Sequence, residues 1–129
     1  MWTYGHFSAS EFLCQCGCGV GSDIMDIDRD LLIKLNEVRE RYGPIVGNSG
    51  ARCAAHNKTV SKVENSAHLT IPGILQCRAF DIRCTNSSDR STLLVHLLPR
   101  FTRIGLHKSF IHVDVAIGPD YPQHVMWFY

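Results

Sequence analysis

The chain has 129 residues, of which 45% are apolar and 19% are charged, and its formal net charge is +1. This composition is typical of a single globular domain, here spanning residues 1–129, and it argues against a disordered chain. The near-neutral charge without blocks of one sign argues against nucleic-acid binding, and no apolar run reaches the roughly 18 residues that a membrane span needs.

The first half of the chain is predicted to contain one long helix. Residues 8–11 have the Ser-x-x-Glu spacing of a capping box, so a short helix is expected there. The Cys- and Gly-rich CQCGCGVGSD that follows is predicted to be a loop. Residues 26–42 carry apolar side chains at helical spacing, with aspartates near the start and arginines near the end. Residues 44–46 are predicted to be a short strand that runs into a turn at 47–50.

The second half is predicted to contain most of the strands. Helices are expected around residues 54–58 and from Asn86 to near Pro99. Strands are expected at 79–83, 103–106, 110–116 and 125–129. The two strands nearest in sequence predict a hairpin, so the whole pattern predicts an α+β fold with a small, mainly antiparallel sheet and flanking helices.

The strand SFIHVDV, residues 109–115, alternates polar and aliphatic side chains. This alternation places His112 and Asp114 on one face and the aliphatic residues on the other. A zinc hydrolase needs three ligands from His, Asp or Glu and an open position for water. The candidate residues in the second half of the chain are His68, Asp81, His107, His112 and Asp114. No HExxH motif is present, which excludes the common helix-borne zinc site.

Four segments in order resemble the zinc D-alanyl-D-alanine carboxypeptidase family. They are SGARCAAHN (49–57), SAHL (66–69), AFDI (79–82) and RIGLHKSFIHVDV (103–115). That family includes bacterial and phage peptidoglycan peptidases, and its fold is similar to the hedgehog signalling domain. The opening HFSASEF, followed by a Cys-Gly stretch, is similar to phage endolysins. The resemblance implies zinc as cofactor and a peptidoglycan stem peptide as substrate, cut by a D,D-carboxypeptidase or an L-alanyl-D-glutamate endopeptidase.

The resemblance also implies the site residues. His68, Asp81 and His112 match the three zinc ligands, and Arg52 matches the arginine that binds a substrate carboxylate or carbonyl. Ser66 matches the motif serine, as a partner of a ligand. Twelve residues separate His68 from Asp81, where the usual motif has six, so the insert around TIPGILQCR must loop out.

The general base is the open point of this assignment. Many family members carry a Glu three residues before the late His, or a His two residues before it, but this chain has Ser109 and Phe110 there. Asp114 shares a strand face with His112 and is therefore predicted to be the base. His107 is the alternative, either as base or as a donor to the developing oxyanion.

Two further questions stay open at the level of sequence. Hedgehog-like domains show that this fold also occurs as a non-catalytic zinc-bearing binding or structural module. The thiols of Cys14, Cys16 and Cys18 fit a second metal with His6 or another cysteine, a disulfide, or free thiols. The aromatic residues 127–129 are predicted to pack in the core or at an edge.

The residues MWTYGHFSASEF lack the basic and apolar regions of a secretory signal, which predicts synthesis in the cytoplasm. A monomer is expected. An endolysin made in this way acts on the cell wall only after the membrane is permeabilised, so the resemblance implies a holin as partner if the protein comes from a phage.

Overall fold

The computed structural model describes residues 1–129 and has two sheets. A small hairpin pairs β1 (Thr3–Tyr4) with β2 (Phe7–Ser8). The main sheet consists of β3 (Gly47–Ser49), β4 (Ala79–Arg83), β5 (Arg103–Leu106), β6 (Phe110–Asp114) and β7 (Val125–Phe128). Its strands lie in the order β3-β4-β6-β5-β7, and all neighbours are antiparallel except β5 and β7, which are parallel.

Each of the three helices begins at a side chain that accepts a backbone N–H of the first turn. They are α1 (Arg29–Arg41), α2 (Ala54–Val60) and α3 (Ser87–Leu97), with 3-10 turns at Ala9–Glu11 and Ile24–Asp26. The side chain of Asp28 accepts the backbone N–H of Asp30 at 2.8 Å at the start of α1. The side chain of Asn86 caps α3 in the same way. The predicted α+β class is confirmed.

The hydrophobic core lies between α1, α3 and one face of the main sheet. One cluster of 19 buried residues holds the apolar side chains of α1, α3 and that face. From the sheet it includes Phe80, Ile82, Ile104, Ile111 and Val113. Because side chains alternate along a strand, the residues between these project from the opposite face, which carries the polar side chains described below.

The prediction for residues 44–50 was wrong in one respect. The strand is Gly47–Ser49, where a turn was expected, and it pairs with β4. Gly47 lies against the Phe80 ring, and a Cβ added at Gly47 would overlap that ring. The glycine therefore allows a close approach of two strands and does not mark a turn.

The segment between His68 and Asp81 loops out, as the insert requires. Ile71 pairs with Leu75 around its turn. Cys77 returns the chain to the residues before α1, because its N–H donates to the Asp26 carbonyl at 2.7 Å and its carbonyl accepts the Asp28 N–H at 2.9 Å. None of the helices has the length and apolar character to cross a lipid bilayer.

Candidate metal centre

The candidate metal ligands meet on the sheet face opposite α1 and α3. Asp81 on β4 pairs directly with His112 on β6, so their side chains project from the same face as neighbours. His68 comes from the loop after α2, and this loop is fixed by a backbone bridge between Arg52 and Leu69. Residues from three separate parts of the chain therefore converge at one point.

The distances among the three ligand atoms suit one metal ion. His68 Nε2 lies 3.1 Å from Asp81 Oδ1, His112 Nδ1 lies 2.9 Å from the same oxygen, and the two nitrogens are 3.3 Å apart. Ligands at about 2.0–2.1 Å from a tetrahedral zinc lie about 3.3 Å from one another. All three side chains are buried, with 2% to 7% of their surface exposed.

Outer hydrogen bonds set which nitrogen of each histidine faces the centre. His68 Nδ1 lies 2.7 Å from the Gly50 carbonyl, which can only accept, so Nδ1 carries the proton and Nε2 is free to bind a metal. His112 Nε2 lies 2.7 Å from Asp114 Oδ2, which leaves Nδ1 as the ligand atom. Three acceptor atoms therefore face one another, and a cation satisfies all of them. This donor set of two imidazoles and one carboxylate fits zinc.

The electrostatics of the centre favour a positive charge at its middle. Burial lowers the pKa of His68 below its usual value. Burial also opposes charge on His112, but its hydrogen bonds to Asp114 and Asp81 outweigh this and raise its pKa. The pKa values of both carboxylates are lowered despite burial, because the neighbouring histidines stabilise the ionised forms. The raised pKa of His112 therefore favours its protonated form when no metal ion is bound, and a metal ion competes with that proton.

Asp114 lies on the side of the His112 ring that faces away from the other two ligands. Its Oδ2 contacts His112 Nε2, and its Oδ1 accepts the Arg103 Nε–H at 2.7 Å and the Ala116 N–H at 3.1 Å. The side chain is 1% exposed. This placement does not favour the predicted role of Asp114 as general base. Strand alternation gave the correct face, but it does not determine which ring nitrogen the carboxylate contacts.

Arg52 lies beside the candidate ligands. Its Nη2 is 3.5 Å from Asp81 Oδ2, and its Nε donates to Ser49 Oγ at 3.1 Å. Its backbone N–H donates to the His68 carbonyl, which joins the arginine to the ligand loop. Ser66 Oγ accepts the His68 N–H at 3.3 Å and so supports the same loop.

The family model for peptidase M15 matches residues 5–114, which is most of the chain. The chain belongs to the peptidase M15 family. M15 peptidases are zinc-dependent, so membership implies a metallopeptidase. The matched range includes the three candidate ligands and Arg52 and ends at Asp114, so β7 lies outside it. No individual curated protein and no solved structure gives a significant match.

In this M15 peptidase a cleft of about 500 Å³ opens over the candidate ligands. Its lining includes Trp127 and Tyr129, which were predicted from the sequence to pack in the core or at an edge. The Trp127 ring lies 5.4 Å from the His112 ring, centroid to centroid. Gly105 makes this possible, because a Cβ there would lie 2.6 Å from Trp127 Nε1. A lone glycine inside the strand RIGL was the sequence signal for such a close approach.

His107 also lines the cleft of the M15 peptidase. Its Nδ1 accepts the Ser109 backbone N–H at 3.1 Å, and its ring stacks on Phe110 at 4.5 Å. An Nδ1 that accepts leaves the proton of the neutral ring on Nε2. The geometry therefore supports His107 as a donor more than as a base.

Proposed function

We propose that this M15 peptidase hydrolyses the stem peptides of peptidoglycan, as a D,D-carboxypeptidase or as an L-alanyl-D-glutamate endopeptidase. The observation that carries the proposal is the convergence of His68, Asp81 and His112 below an open cleft, with an arginine beside them. The four ordered segments that resemble zinc D,D-carboxypeptidases support this substrate class.

The proposed ligands are His68 Nε2, Asp81 Oδ1 and His112 Nδ1. Zinc held there would activate a water and polarise the scissile carbonyl, and the proton that the water loses would end on the leaving amine. The chain's own contribution is to present three buried lone pairs in a fixed geometry. The Gly50 carbonyl and the Asp114 carboxylate fix the two imidazole rings in the required tautomers.

Arg52 is proposed to orient the substrate. Its planar donor fork suits a carboxylate or a carbonyl, and its contact with Asp81 keeps it next to the reacting bond. The terminal carboxylate of a D-Ala-D-Ala peptide and the carboxylate of a D-Glu residue both fit this group. The arginine therefore supports either cleavage site.

His107 is proposed to donate a hydrogen bond from Nε2 to the oxyanion that develops on the substrate. Asp114 acts through His112 as a positioning residue. It accepts the Nε2–H of the ring and so leaves Nδ1 free to bind the metal, while its other oxygen contacts Arg103 and the Ala116 N–H.

The test is to incubate the zinc-loaded protein with purified peptidoglycan stem peptides and to identify the products by mass spectrometry. Loss of the terminal D-Ala supports the carboxypeptidase, and release of an L-Ala carboxyl end supports the endopeptidase. The His112→Ala variant should form neither product. His6→Ala is the matched control, because His6 lies outside the candidate centre, with an exposed side chain.

The second candidate function is a non-catalytic zinc-bearing module that binds cell-wall peptides. Ser109 favours it, because it stands where many family members carry an acid, and the enclosed Asp114 does not replace that acid. This alternative predicts that calorimetry detects stem-peptide binding while the zinc-loaded parent protein forms no product. That result would contradict the peptidase proposal.

A further inference from the structure

A second group of potential metal ligands lies outside the candidate peptidase centre. We call it the cysteine cluster, and its members are Cys14, Cys16, Cys18 and Cys53. Three of them come from the Gly-rich loop before α1, and Cys53 directly follows Arg52 in the chain. The sequence places these two segments 35 residues apart, so only the fold shows that the fourth cysteine joins the other three.

The sulfur atoms of the cluster have the spacing of a tetrathiolate site. Cys16 Sγ lies 3.4 Å from Cys14 Sγ and 3.6 Å from Cys53 Sγ, and all four sulfurs lie within 4.8 Å of one another. Four sulfurs at about 2.3 Å from a tetrahedral zinc are about 3.8 Å apart. The separations exceed the roughly 2.0 Å of a disulfide bond, and all six cysteines of the chain are unbonded.

The surrounding backbone suits the negative charge of bound thiolates. The Cys53 N–H donates to Cys14 Sγ at 3.4 Å, and the His56 N–H donates to Cys53 Sγ at 3.3 Å. Such N–H···S bonds are the outer contacts that orient and tune thiolate ligands. Gly17 and Gly19 both have positive φ, at 80° and 90°, and this backbone shape bends the loop so that its sulfurs face inward.

The other cysteines of the chain are placed differently. Cys77 and Cys84 are buried in the hydrophobic core, and each donates its S–H to a nearby backbone carbonyl. Cys16 and Cys18 are exposed at the protein surface, yet they converge with two further thiols. Core packing therefore explains the first pair and does not explain the cluster.

We propose that the cysteine cluster binds a second zinc ion and that this site is structural. Four protein ligands leave no open position for water, which distinguishes it from the three-ligand peptidase centre. Each thiol loses its proton to solvent when the metal binds. Soft thiolate ligands select zinc over the hard cations magnesium and calcium.

The second metal links the N-terminal loop to the segment that carries Arg52. The Ala51 N–H donates to the Phe12 carbonyl at 2.9 Å, so the two segments already lie side by side. A metal bound to Cys53 and to the loop holds the residue next to Arg52 in place. The site therefore stabilises the position of the arginine beside Asp81.

The test is to measure the number of zinc ions per chain in the purified protein by elemental mass spectrometry. The proposal predicts two zinc ions, one for each ligand group. The double variant Cys16→Ser/Cys18→Ser should keep one, and His112→Ala should also keep one. Cys84→Ser is the matched control and should keep both, because Cys84 lies outside the cluster.

A second measurement needs no variant and no enzymatic activity. Cobalt substitution of the parent protein should give the intense near-ultraviolet charge-transfer band of thiolate ligands, and this band should persist in His112→Ala. A zinc content that Cys16→Ser/Cys18→Ser leaves unchanged, four cluster thiols that react freely with a thiol reagent in the zinc-loaded protein, or a disulfide within the loop would overturn the proposal. An inactive parent protein with two zinc ions would contradict the proposed function and leave this inference standing.

Discussion

At the scale of single residues, the candidate centre depends on the contact between His112 and Asp114. The carboxylate holds Nε2 at 2.7 Å, and this leaves Nδ1 as the atom that faces His68 and Asp81. Arg103 contacts the other oxygen of Asp114, so the carboxylate remains ionised and fixed. A carboxylate behind a ligating histidine is a common way to orient that ligand.

Replacing Asp114 with Asn tests the positioning role against the role of base. We expect zinc affinity to fall by about 10- to 100-fold, because the orienting carboxylate is lost. Peptide hydrolysis should recover most of its rate once excess zinc fills the site. A variant that keeps its zinc affinity but has lost hydrolysis at saturating zinc would show that Asp114 is the base.

The pH dependence of zinc binding tests the charge on His112. Its raised pKa means that Nδ1 still holds a proton above pH 6.5, the usual pKa of histidine, and zinc must displace this proton. Affinity should therefore keep rising with pH above about 6.5 and level off only when the raised pKa is passed. Competition with a coloured chelator measures zinc affinity at each pH. In Asp114→Asn the affinity should level off at lower pH, because the carboxylate that raises the pKa of His112 is gone. A zinc affinity of the parent protein that no longer rises with pH at pH 6.5 would contradict a raised pKa of His112.

At the scale of elements, β5 and β7 form the wall of the cleft beside the ligands. Gly105 on β5 pairs with His112 on one side and with Trp127 on the other. The absence of a Cβ at Gly105 lets the indole lie over the strand and reach the His112 ring. The parallel pairing of β7 with β5 therefore completes the site.

Replacing Gly105 with Ala should destabilise the protein by about 1–3 kcal/mol, because the new methyl group collides with the Trp127 indole. The same substitution should cost at least about 0.5 kcal/mol less in a Trp127→Ala background, where the collision is removed. Denaturant unfolding of the four proteins in this cycle measures the difference. Equal costs in both backgrounds would show that the Trp127 contact is not what requires glycine.

The sequence predicted the elements better than it predicted the contacts between them. The alternation in residues 110–114 and the cap at Asn86 are local patterns, and both elements formed where expected. Gly47 is required by the Phe80 ring, which is distant in sequence. The residues around Gly47 do not reveal this contact, so a turn was predicted at 47–50 where the structure has a strand. The contact of Trp127 with the site depends in the same way on Gly105 and on the pairing of β7.

At the scale of the whole molecule, the two candidate metal sites join segments that are far apart in the chain. The peptidase centre joins the loop after α2 to β4 and β6, and the cysteine cluster joins the N-terminal loop to the start of α2. The sequence alone indicated the first set through its resemblance to a family. It left the cysteines open, because nothing in the local pattern shows that Cys53 approaches the Gly-rich loop.

Removing metal should therefore lower the stability of the whole domain. Free zinc at about 100 times its Kd stabilises a folded protein by about 2.7 kcal/mol per site. For a domain of this size that corresponds to a fall in Tm of about 10 °C per site on chelation. Calorimetry with and without chelator measures it, and His112→Ala should show a smaller fall than the parent. An unchanged Tm in the parent would contradict binding at either site.

The central claim is that one zinc ion binds to His68 Nε2, Asp81 Oδ1 and His112 Nδ1. A zinc-edge anomalous difference map of zinc-loaded crystals tests it most directly. We expect a peak within bonding distance of these three atoms, with Asp114 hydrogen-bonded to His112 Nε2 on the far side of the ring. A peak on His112 Nε2 with Asp114 as a ligand, or no peak between these side chains, would contradict it.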